Sequence, residues 1–365
     1  MRSAYLESQK SQQGRKLMAC LPIFYPKPVL TALNICAAEV WGPPGPPRSA
    51  EAGRIQTYVC PIVRNALAFL AGRSAELADG LLCPHTCDSI QGLASVLPDF
   101  GGWAKPVIHF IHPRGPRRAS TLAYLNQEIR GFAKNLEAFA GQSLDPNRLR
   151  WALELHRQID TLAAKLLARR AYLDVDDFTL YTTLRKGEYL WPEDFFEELK
   201  RMDARLSDTV VQKGLPLLLS GIVPEPMSLL KNLDDAGAYV AADDYAAIGR
   251  RILPHADPPP SDPFAALVET YFAAPPCSTR ASSIDGRREH LSRLAAARGV
   301  KGVIFHPIKF CEPELFDIPL LKRRLAELNI PVLVLESGLE SELSGQTVTR
   351  LEAFVEMASN HGSQA

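Results

Sequence analysis

The chain has 365 residues, more than the roughly 250 to 300 at which single hydrophobic cores stop growing, so its length predicts two domains or three small ones. Its 41 Lys and Arg balance 41 Asp and Glu, and a net charge of zero gives no electrostatic footprint for nucleic acid or an anionic membrane. The start, MRSAYLESQKSQQGRK, lacks the apolar core of a signal peptide, and no apolar run approaches the ~18 residues of a membrane span, so we expect a cytoplasmic protein with neither partner.

Short apolar runs alternate with helical patterns in the first part of the chain. The predicted strands are KLMACL (16–21), AEVWG (38–42), GLLCP (80–84) and KPVIHFI (105–111). This alternation is typical of a parallel sheet with crossover helices. We therefore predict a first α/β lobe over residues 15–115, preceded by a polar tail at 1–14.

The pattern becomes helical after Pro116. Apolar residues recur at spacings of three and four, namely Leu122, Leu125, Ile129, Phe132, Leu136 and Phe139. They predict an amphipathic helix from about 118 to 140 that ends at Gly141. Asp145 and Pro146, an N-cap and a favourable first-turn proline, begin a second long helix. With a further helix at EDFFEELKRMDARL (193–206), the predicted helical region covers 116–210.

The alternation of strands and helices resumes in the last part of the chain. The predicted strands are LPLLLSG (215–221), AYVAADD (238–244), KGVIFHP (301–307) and IPVLVLES (330–337). They define a second α/β lobe over 211–365, and the proline-rich stretches 43–54 and 255–263 are predicted to be surface loops. The predicted fold class is α/β, with two small Rossmann-like doubly wound parallel-sheet lobes and a helical insert between them.

Seven cysteines form an odd set without the spacing of a disulfide framework, so free thiols, metal ligands or catalytic groups are favoured in a reducing compartment. The segments DGLLCPHTC and KGVIFHPIKFC share a pattern: glycine, an apolar run, a turn with histidine and proline, then cysteine. Cys87 and Cys311 thus both follow the carboxyl end of a predicted strand, where open α/β sheets collect ligands.

Several interpretations of these cysteines remain open from the residues alone. A closed zinc site needs four ligands, and the chain has no second C-x2-C or H-x3-H pair; a cysteine nucleophile needs a histidine that only the fold can place. Free cysteines are also commonly small buried apolar residues, which we expect of Cys20, Cys36 and Cys277. Three others differ, because each follows an apolar segment and enters a loop or helix start: Cys60, Cys87 and Cys311. Three such thiolates could hold an iron-sulfur cluster and leave one iron open.

Four segments carry a resemblance to a known family: YVCPIVRNAL, GLLCPHTCDSIQGLA, GIVPEPMSLLKNLDDAGAYVAADDY, and the long run from KGVIFHPIKFCEPELFD to GQTVTRLEAFVEM. Over about residues 15–358 the chain resembles the D-component family of 2-hydroxyacyl-CoA dehydratases and ATP-dependent benzoyl-CoA reductases. The resemblance implies a 4Fe-4S cluster held by three cysteines, which fall on Cys60 in YVCPIVR, Cys87 in HTCDS and Cys311 in KFCEPE. Cys83 matches no family ligand.

In that family an ATP-hydrolysing iron-sulfur activator passes a low-potential electron to a two-subunit component, and from there to a CoA thioester through a ketyl radical. A dehydratase then expels the hydroxyl, and a benzoyl-CoA reductase adds protons and a second electron to the ring. The chain has no GxxxxGK[ST] motif, consistent with ATP being hydrolysed by the activator. The segment VLTALNICAAEVWG departs from the family pattern, which leaves the substrate open.

The resemblance predicts the iron-sulfur subunit of a benzoyl-CoA reductase-like complex, a preference that rests on PHTCDSIQ and the chain length. The alternatives are a subunit of a 2-hydroxyacyl-CoA dehydratase, a homodimeric electron-transfer protein of the double-cubane type, or a cluster-free assembly subunit. The expected partners are a homologous second subunit or a second copy, the ATP-hydrolysing activator, and an acyl- or aroyl-CoA.

His85, His306 and Glu312 are the candidate catalytic residues. The two histidines follow strands next to the proposed ligand loops and could donate protons to a reduced substrate, or else form structural hydrogen bonds with loop carbonyls. Glu312 adjoins Cys311 and could either stabilise a helix N-terminus or transfer protons.

Two further pairs are candidates for the same site. Asp243 and Asp244 close a predicted strand, where they could act as acid and base or cap the following turn. Gln346 and Arg350 lie one helical turn apart and could contact a substrate or partner, or form an ordinary exposed pair.

Overall fold

The computed structural model describes residues 2–45, 53, 55–72, 75–113, 115–257, 259–280 and 282–361. The strands within these ranges are β1 (Lys16–Cys20), β2 (Ile35–Glu39), β3 (Gly80–Pro84), β4 (Val107–Phe110), β5 (Leu215–Gly221), β6 (Ala238–Tyr245), β7 (Gly302–His306) and β8 (Val332–Val334). The α-helices are α1 (Arg2–Ser11), α2 (Lys27–Ala32), α3 (Pro61–Leu70), α4 (Asp88–Phe100), α5 (Ala119–Ala140), α6 (Pro146–Ala168), α7 (Asp177–Arg185), α8 (Pro192–Asp203), α9 (Ser228–Asp235), α10 (Pro263–Ala273), α11 (Ile284–Ala297), α12 (Glu312–Glu327) and α13 (Gly345–His361).

The strands form two separate sheets of four, in the orders β2-β1-β3-β4 and β6-β5-β7-β8. Every pairing in both sheets is parallel. Each sheet therefore places its own second strand at one edge, beside its first, then its third and fourth. The predicted α/β class with two Rossmann-like lobes is confirmed, and the segments DGLLCPHTC and KGVIFHPIKFC contain the topologically equivalent third strands β3 and β7.

The chain divides into two compact units, each assembled from three segments. Unit 1 comprises 1–161, 186–197 and 253–274, and unit 2 comprises 162–185, 198–252 and 275–365. Residues 116–210, predicted as a separate helical region, are thus divided between the units, and the boundary at 161 falls inside α6. No described helix is long and apolar enough to cross a bilayer.

The core of unit 1 lies where the first sheet meets α5 and α10. Leu125, Ile129, Phe132 and Leu136 of α5 are buried there, as the predicted helical spacing requires. Leu267 of α10 belongs to the same cluster, although it lies far from these partners along the chain. Gly141 ends α5 with φ 74°, a left-handed conformation that costs glycine little.

The core of unit 2 is built in the same way, from one sheet and the helices α11 and α12. Its buried members are Leu218, Ala242, Leu291, Ala295, Val300, Val303, Phe305, Ile318, Leu321 and Leu325. α12 follows β7, so packing of its apolar face on the sheet determines where the first turn of the helix lies. The proposed ligand Cys311 immediately precedes that turn.

The second strand is the least accurate sequence prediction. It was placed at 38–42, whereas β2 covers Ile35–Glu39 and pairs with β1 from Lys16↔Ile35 to Cys20↔Glu39. Asn34 adopts φ 57° directly after the short α2, so the chain turns into the sheet earlier than its apolar pattern indicates. The last paired residue is the buried Glu39, which a purely apolar strand pattern does not anticipate.

Other local predictions can be compared with the structure directly. The main-chain N–H of Asn147 donates to Asp145 Oδ1 at 2.9 Å, as the predicted cap of α6 requires. Residues 2–11 of the predicted polar tail form α1, whose Tyr5 packs against a buried cluster containing Trp191. Of the two proline-rich loops, residues 46–52 and 54 in the first and 258 in the second lie outside the described residues.

Candidate functional site

The three proposed cluster ligands all occupy the N-cap positions of helices. Cys60 precedes α3, Cys87 precedes α4, and Cys311 precedes α12. The N–H groups of a first helical turn lack intrahelical partners and carry a partial positive charge, which stabilises a nearby thiolate. The N-cap position therefore suits each sulfur for metal binding in a way that a mid-helix position would not.

Cys60 and Cys87 lie near each other in unit 1. Cys60 is buried, and its main-chain carbonyl accepts a hydrogen bond from the N–H of Val63 at 3.0 Å. The pKa of the Cys60 thiol is raised to about 12, mainly by burial and in part by the nearby Cys87, while the main-chain amides of Ile62 and Val63 oppose the rise. A bound cation has to displace this proton, so metal binding at Cys60 should be coupled to pH.

Cys311 lies in unit 2 at the end of a short loop that follows β7. Its main-chain N–H donates to Ile308 O at 3.0 Å, and the N–H of Lys309 donates to Ser337 O at 2.7 Å. The intervening Phe310 adopts φ 59°, in a region that non-glycine residues rarely occupy, and its ring is exposed. The loop is thus fixed by main-chain bonds, while the Cys311 side chain is buried.

The three sulfurs suit an iron-sulfur cluster by their chemistry. Thiolates are the usual protein ligands of such clusters, whereas a closed structural zinc site needs a fourth ligand. Cys60 and Cys87 belong to unit 1 and Cys311 to unit 2. Among the described residues, no three His, Cys, Asp or Glu side chains are grouped so that they could hold one metal ion.

The other cysteines occupy different environments. Cys20, Cys36 and Cys83 are buried within β1, β2 and β3, and burial raises the pKa of Cys36 and Cys83 to about 12. They are therefore neutral apolar side chains of the sheet. Cys277 is also fully buried, but its sulfur accepts a hydrogen bond from Arg250 Nη1 at 3.2 Å, which its proline-flanked sequence did not indicate.

The three candidate catalytic residues differ in accessibility. His85 lies at the carboxyl end of β3 and is half-buried, and its Nε2 is 3.1 Å from Nδ1 of the exposed His109. His306 at the end of β7 is buried; its Nδ1 is 2.9 Å from the Tyr245 hydroxyl, and burial lowers its pKa to about 4. Glu312 is exposed at the first position of α12. Of the three, only His306 is held as a neutral group inside the protein.

Asp243 caps the turn that follows β6. Its Oδ1 accepts hydrogen bonds from the main-chain N–H of Gly249 at 2.6 Å and of Tyr245 at 3.1 Å, and its Oδ2 accepts one from the Tyr181 hydroxyl. Burial raises the pKa of Asp243 to about 7, against the opposing effect of these donors. Of the two roles considered for Asp243, acid or base and cap of the following turn, its contacts match the cap.

Asp244 belongs instead to a buried network of charges. Its carboxylate lies 3.1 Å from Arg287 Nη1 and 3.3 Å from Arg250 Nε, and it accepts a hydrogen bond from the Ser220 hydroxyl at 2.7 Å. Burial opposes ionisation of Asp244, but the charges of the two arginines outweigh it and hold its pKa below the usual range. Arg250 also binds Glu314 in the first turn of α12 at 2.7 Å.

Sequence reasoning missed three members of this network: Arg250, Arg287 and Glu314. They occur in the charged segments IGRRIL, DGRREH and CEPEL, which look like solvated surface, yet all three side chains are buried. The available signal was the acidic pair that closes an otherwise apolar strand, because a buried carboxylate needs a buried cation.

The last candidate pair has a structural contact. Gln346 and Arg350 are both exposed on α13, and Arg350 Nη2 donates to Val334 O of β8 at 3.0 Å. Arg350 therefore ties the last helix to the last strand of unit 2.

Comparison with known proteins places this architecture in a family. The family model described as "2-hydroxyglutaryl-CoA dehydratase, D-component" matches residues 22–358. The chain is 22% identical to the (R)-phenyllactyl-CoA dehydratase beta subunit of Clostridium sporogenes, covering 96% of this chain and 94% of the relative. It is 23% identical to the beta subunit of (R)-2-hydroxyglutaryl-CoA dehydratase of Acidaminococcus fermentans, with 94% and 93% covered.

A reductase component is similar to the same extent. One of the subunits of benzoyl-CoA reductase of Thauera aromatica is 25% identical over 93% of this chain and 89% of its own length. These relatives are all named as components of enzymes. Because the family model covers nearly the whole chain, the protein belongs to the 2-hydroxyglutaryl-CoA dehydratase D-component family.

Proposed function

We propose that this chain is the iron-sulfur subunit of an enzyme complex that transfers low-potential electrons to a CoA thioester. The observation that carries the proposal is the placement of Cys60, Cys87 and Cys311 at three helix N-caps. Two of them, Cys87 and Cys311, follow the equivalent third strands of the two sheets. The family membership and the names of the relatives support the same assignment.

In this proposal Cys60, Cys87 and Cys311 hold a 4Fe-4S cluster. The helix N-termini supply N–H groups that stabilise the thiolates, and burial of Cys60 and Cys311 keeps water from the sulfurs. When bound, such a cluster supplies one-electron transfer, and three protein ligands leave one iron open. His85, half-buried two residues before Cys87 and paired with the exposed His109, is the candidate proton donor that a substrate could reach, whereas the buried His306 positions Tyr245.

The complex in this proposal has further components. The relatives are each named as one subunit of an enzyme, which supports a second subunit for this chain as well. An ATP-hydrolysing iron-sulfur activator supplies the electron, in keeping with the absence of a GxxxxGK[ST] motif from the sequence. A second copy of this chain, as in double-cubane proteins, is the alternative to a different subunit.

The reaction type follows one of two routes. We favour reduction of an aromatic CoA thioester, as in a benzoyl-CoA reductase, on the PHTCDSIQ segment and the similarity to the benzoyl-CoA reductase component. Dehydration of a 2-hydroxyacyl-CoA is the second candidate, because the other relatives are dehydratase subunits. Assays of the assembled complex with benzoyl-CoA and with a 2-hydroxyacyl-CoA separate the two, and turnover of the hydroxyacyl-CoA alone would reject the reductase assignment.

Metal analysis of cysteine variants tests the cluster itself. The chain is purified without oxygen, reconstituted, and analysed for iron, acid-labile sulfide and the EPR spectrum after reduction. We expect about four irons and four sulfides per chain, and loss of most of both in Cys60→Ser, Cys87→Ser and Cys311→Ser.

Cys83→Ala is the matched control, because Cys83 lies four residues before Cys87 but is buried inside β3. It should keep the full iron content. Unchanged iron and sulfide in Cys311→Ser would remove Cys311 from the ligand set, and a reconstituted wild-type chain without iron would refute the proposed function.

A further inference from the structure

The buried guanidinium of Arg250 connects the second sheet to the start of α12. Its Nε donates to Asp244 O at 2.7 Å and its Nη2 to Gly221 O at 2.6 Å, at the carboxyl ends of β6 and β5. Its Nη1 donates to Glu314 Oε1 at 2.7 Å. One rigid side chain therefore joins two neighbouring strands to the first turn of the helix that Cys311 begins.

Glu314 is the point of attachment on the helix. It is the third residue of α12, and its main-chain N–H donates to Cys311 O at 3.1 Å. The residue is only 1% exposed, and its carboxylate accepts hydrogen bonds from Arg250 and Ser278. The charge pair of Arg250 and Glu314 therefore fixes the first turn of α12, and through that turn it fixes the main chain of Cys311.

Stability alone is a poor explanation for this arrangement. Removing two charges from water costs several kcal/mol per ion, and apolar residues of the same volume are often as stabilising as a buried ion pair. A planar guanidinium with several fixed donors, however, specifies direction and distance more closely than apolar packing does. The pair therefore suits a task in which the exact placement of one turn matters.

We propose that Arg250 and Glu314 are positioning residues for Cys311, holding its sulfur in place for metal binding. The inference rests on the proposed function in so far as Cys311 is a cluster ligand. The placement of Cys311 itself is a property of the chain without metal and is measurable without it. Arg287, which approaches Asp244 at 3.1 Å, helps to keep the network neutral.

Alkylation of Cys311 in the metal-free, full-length chain tests the placement. Arg250→Met keeps the volume of the side chain and removes all of its donors, while Glu314→Gln keeps the shape and removes the charge. We expect iodoacetamide to modify Cys311 about tenfold faster in Arg250→Met than in wild type, and faster by a smaller factor in Glu314→Gln. The rate at Cys60, measured in the same digest by mass spectrometry, should not change.

Arg170→Met is the matched control. Arg170 is an equally buried arginine of unit 2, and its Nε donates to Asp177 Oδ1 at 2.6 Å rather than to α12. Its loss should lower stability without accelerating Cys311 alkylation. If Arg250→Met fails to fold, the comparison of Glu314→Gln with Arg170→Met decides the question. Equal Cys311 rates in wild type and Glu314→Gln, or equal acceleration at Cys60, would overturn the inference.

The reconstituted protein gives a second measurement. Arg250→Met and Glu314→Gln should change the EPR line shape or the midpoint potential of the bound cluster, which Arg170→Met should leave as in wild type. If the wild-type chain takes up no iron, the proposed function fails, yet the alkylation rates still test the positioning role. The two failures are therefore distinguishable.

Discussion

Asp243 and Asp244 are neighbours on β6, and we predict a large loss of stability when Asp244 is replaced by asparagine and a small one when Asp243 is. Asp244 faces two cations, with Arg287 Nη1 at 3.1 Å and Arg250 Nε at 3.3 Å, and is fully buried. Asp244→Asn removes the carboxylate that both guanidinium groups contact, while the contact between Arg250 and Glu314 stays. Breaking a buried ion pair in this way costs about 3 to 5 kcal/mol in the free energy of unfolding. At about 2 to 4 °C per kcal/mol, the expected fall in Tm is roughly 6 to 20 °C.

Asp243→Asn should be far milder. Asparagine retains an oxygen that can accept from the N–H groups of Gly249 and Tyr245, as Asp243 Oδ1 does at 2.6 and 3.1 Å. It also removes a carboxylate whose ionisation burial disfavours. We expect the free energy of unfolding to fall by only about 1 to 2 kcal/mol at neutral pH, because the amide nitrogen that replaces Oδ2 no longer accepts from the Tyr181 hydroxyl.

The pKa values of the two carboxyls are shifted in opposite directions, so the stability effects of the two variants should depend differently on pH. Burial raises the pKa of Asp243 from 3.8 to about 7, so ionising it makes the folded state less stable as pH rises from about 4 to 7. The stability of Asp243→Asn relative to wild type should therefore increase as pH rises across that range. The pKa of Asp244 is lowered, so its stabilisation is complete above pH 3.8 and the deficit of Asp244→Asn should be constant from pH 5 to 8.

Urea denaturation followed by circular dichroism at pH 5, 6.5 and 8 measures both effects. Each variant replaces one carboxylate oxygen by an amide nitrogen, and the two positions are adjacent on β6. Each variant therefore serves as a control for the other. A similar cost at both positions, or a deficit of Asp244→Asn that vanishes at pH 8, would refute the assignment of the arginine network to Asp244 alone.

Three further outcomes can be measured by the same denaturation experiment. Phe132→Ala empties a buried position of α5 and should cost about 3 to 5 kcal/mol; a loss below 1 would contradict its place in the core. Gly141→Ala should cost about 1 to 2 kcal/mol because its φ is 74°, while alanine at the exposed Gly131 should not destabilise α5. Burial lowers the pKa of His306 from 6.5 to about 4, so wild type should lose stability as pH falls through that range; an unchanged slope in His306→Gln would exclude His306 as the cause.

The sheet framework was largely predictable from sequence because buried parallel strands appear as continuous apolar runs. GLLCP and LPLLLSG coincide with β3 and β5, and the spacing of apolar residues in α5 predicted its buried face. β2 was displaced by three residues at its start because its boundary depends on pairing with β1 and on the turn at Asn34. Neither is encoded in the local apolar pattern.

The candidate site was predictable only in part. Its cysteines could be chosen from motif resemblance, and their helix N-cap positions follow from the residues after them, such as Pro61 and Pro313, which favour a first helical turn. The role of Arg250 could not be predicted, because its partners Gly221 and Glu314 lie 29 and 64 residues away along the chain. Charged residues in a charged segment give no local indication that folding will bury them.

The division of both units into three chain segments has a consequence for synthesis of the protein. The core of unit 1 needs Leu267 and Val268 of α10, within the segment 253–274, which leaves the ribosome after all four strands and the long α5. Until then the apolar face of α5 lacks part of its cover, and exposed apolar surface in a partly made chain promotes aggregation. A chain that ends before residue 253 would lack α10 permanently, so production of the first sheet as such a fragment should yield insoluble protein.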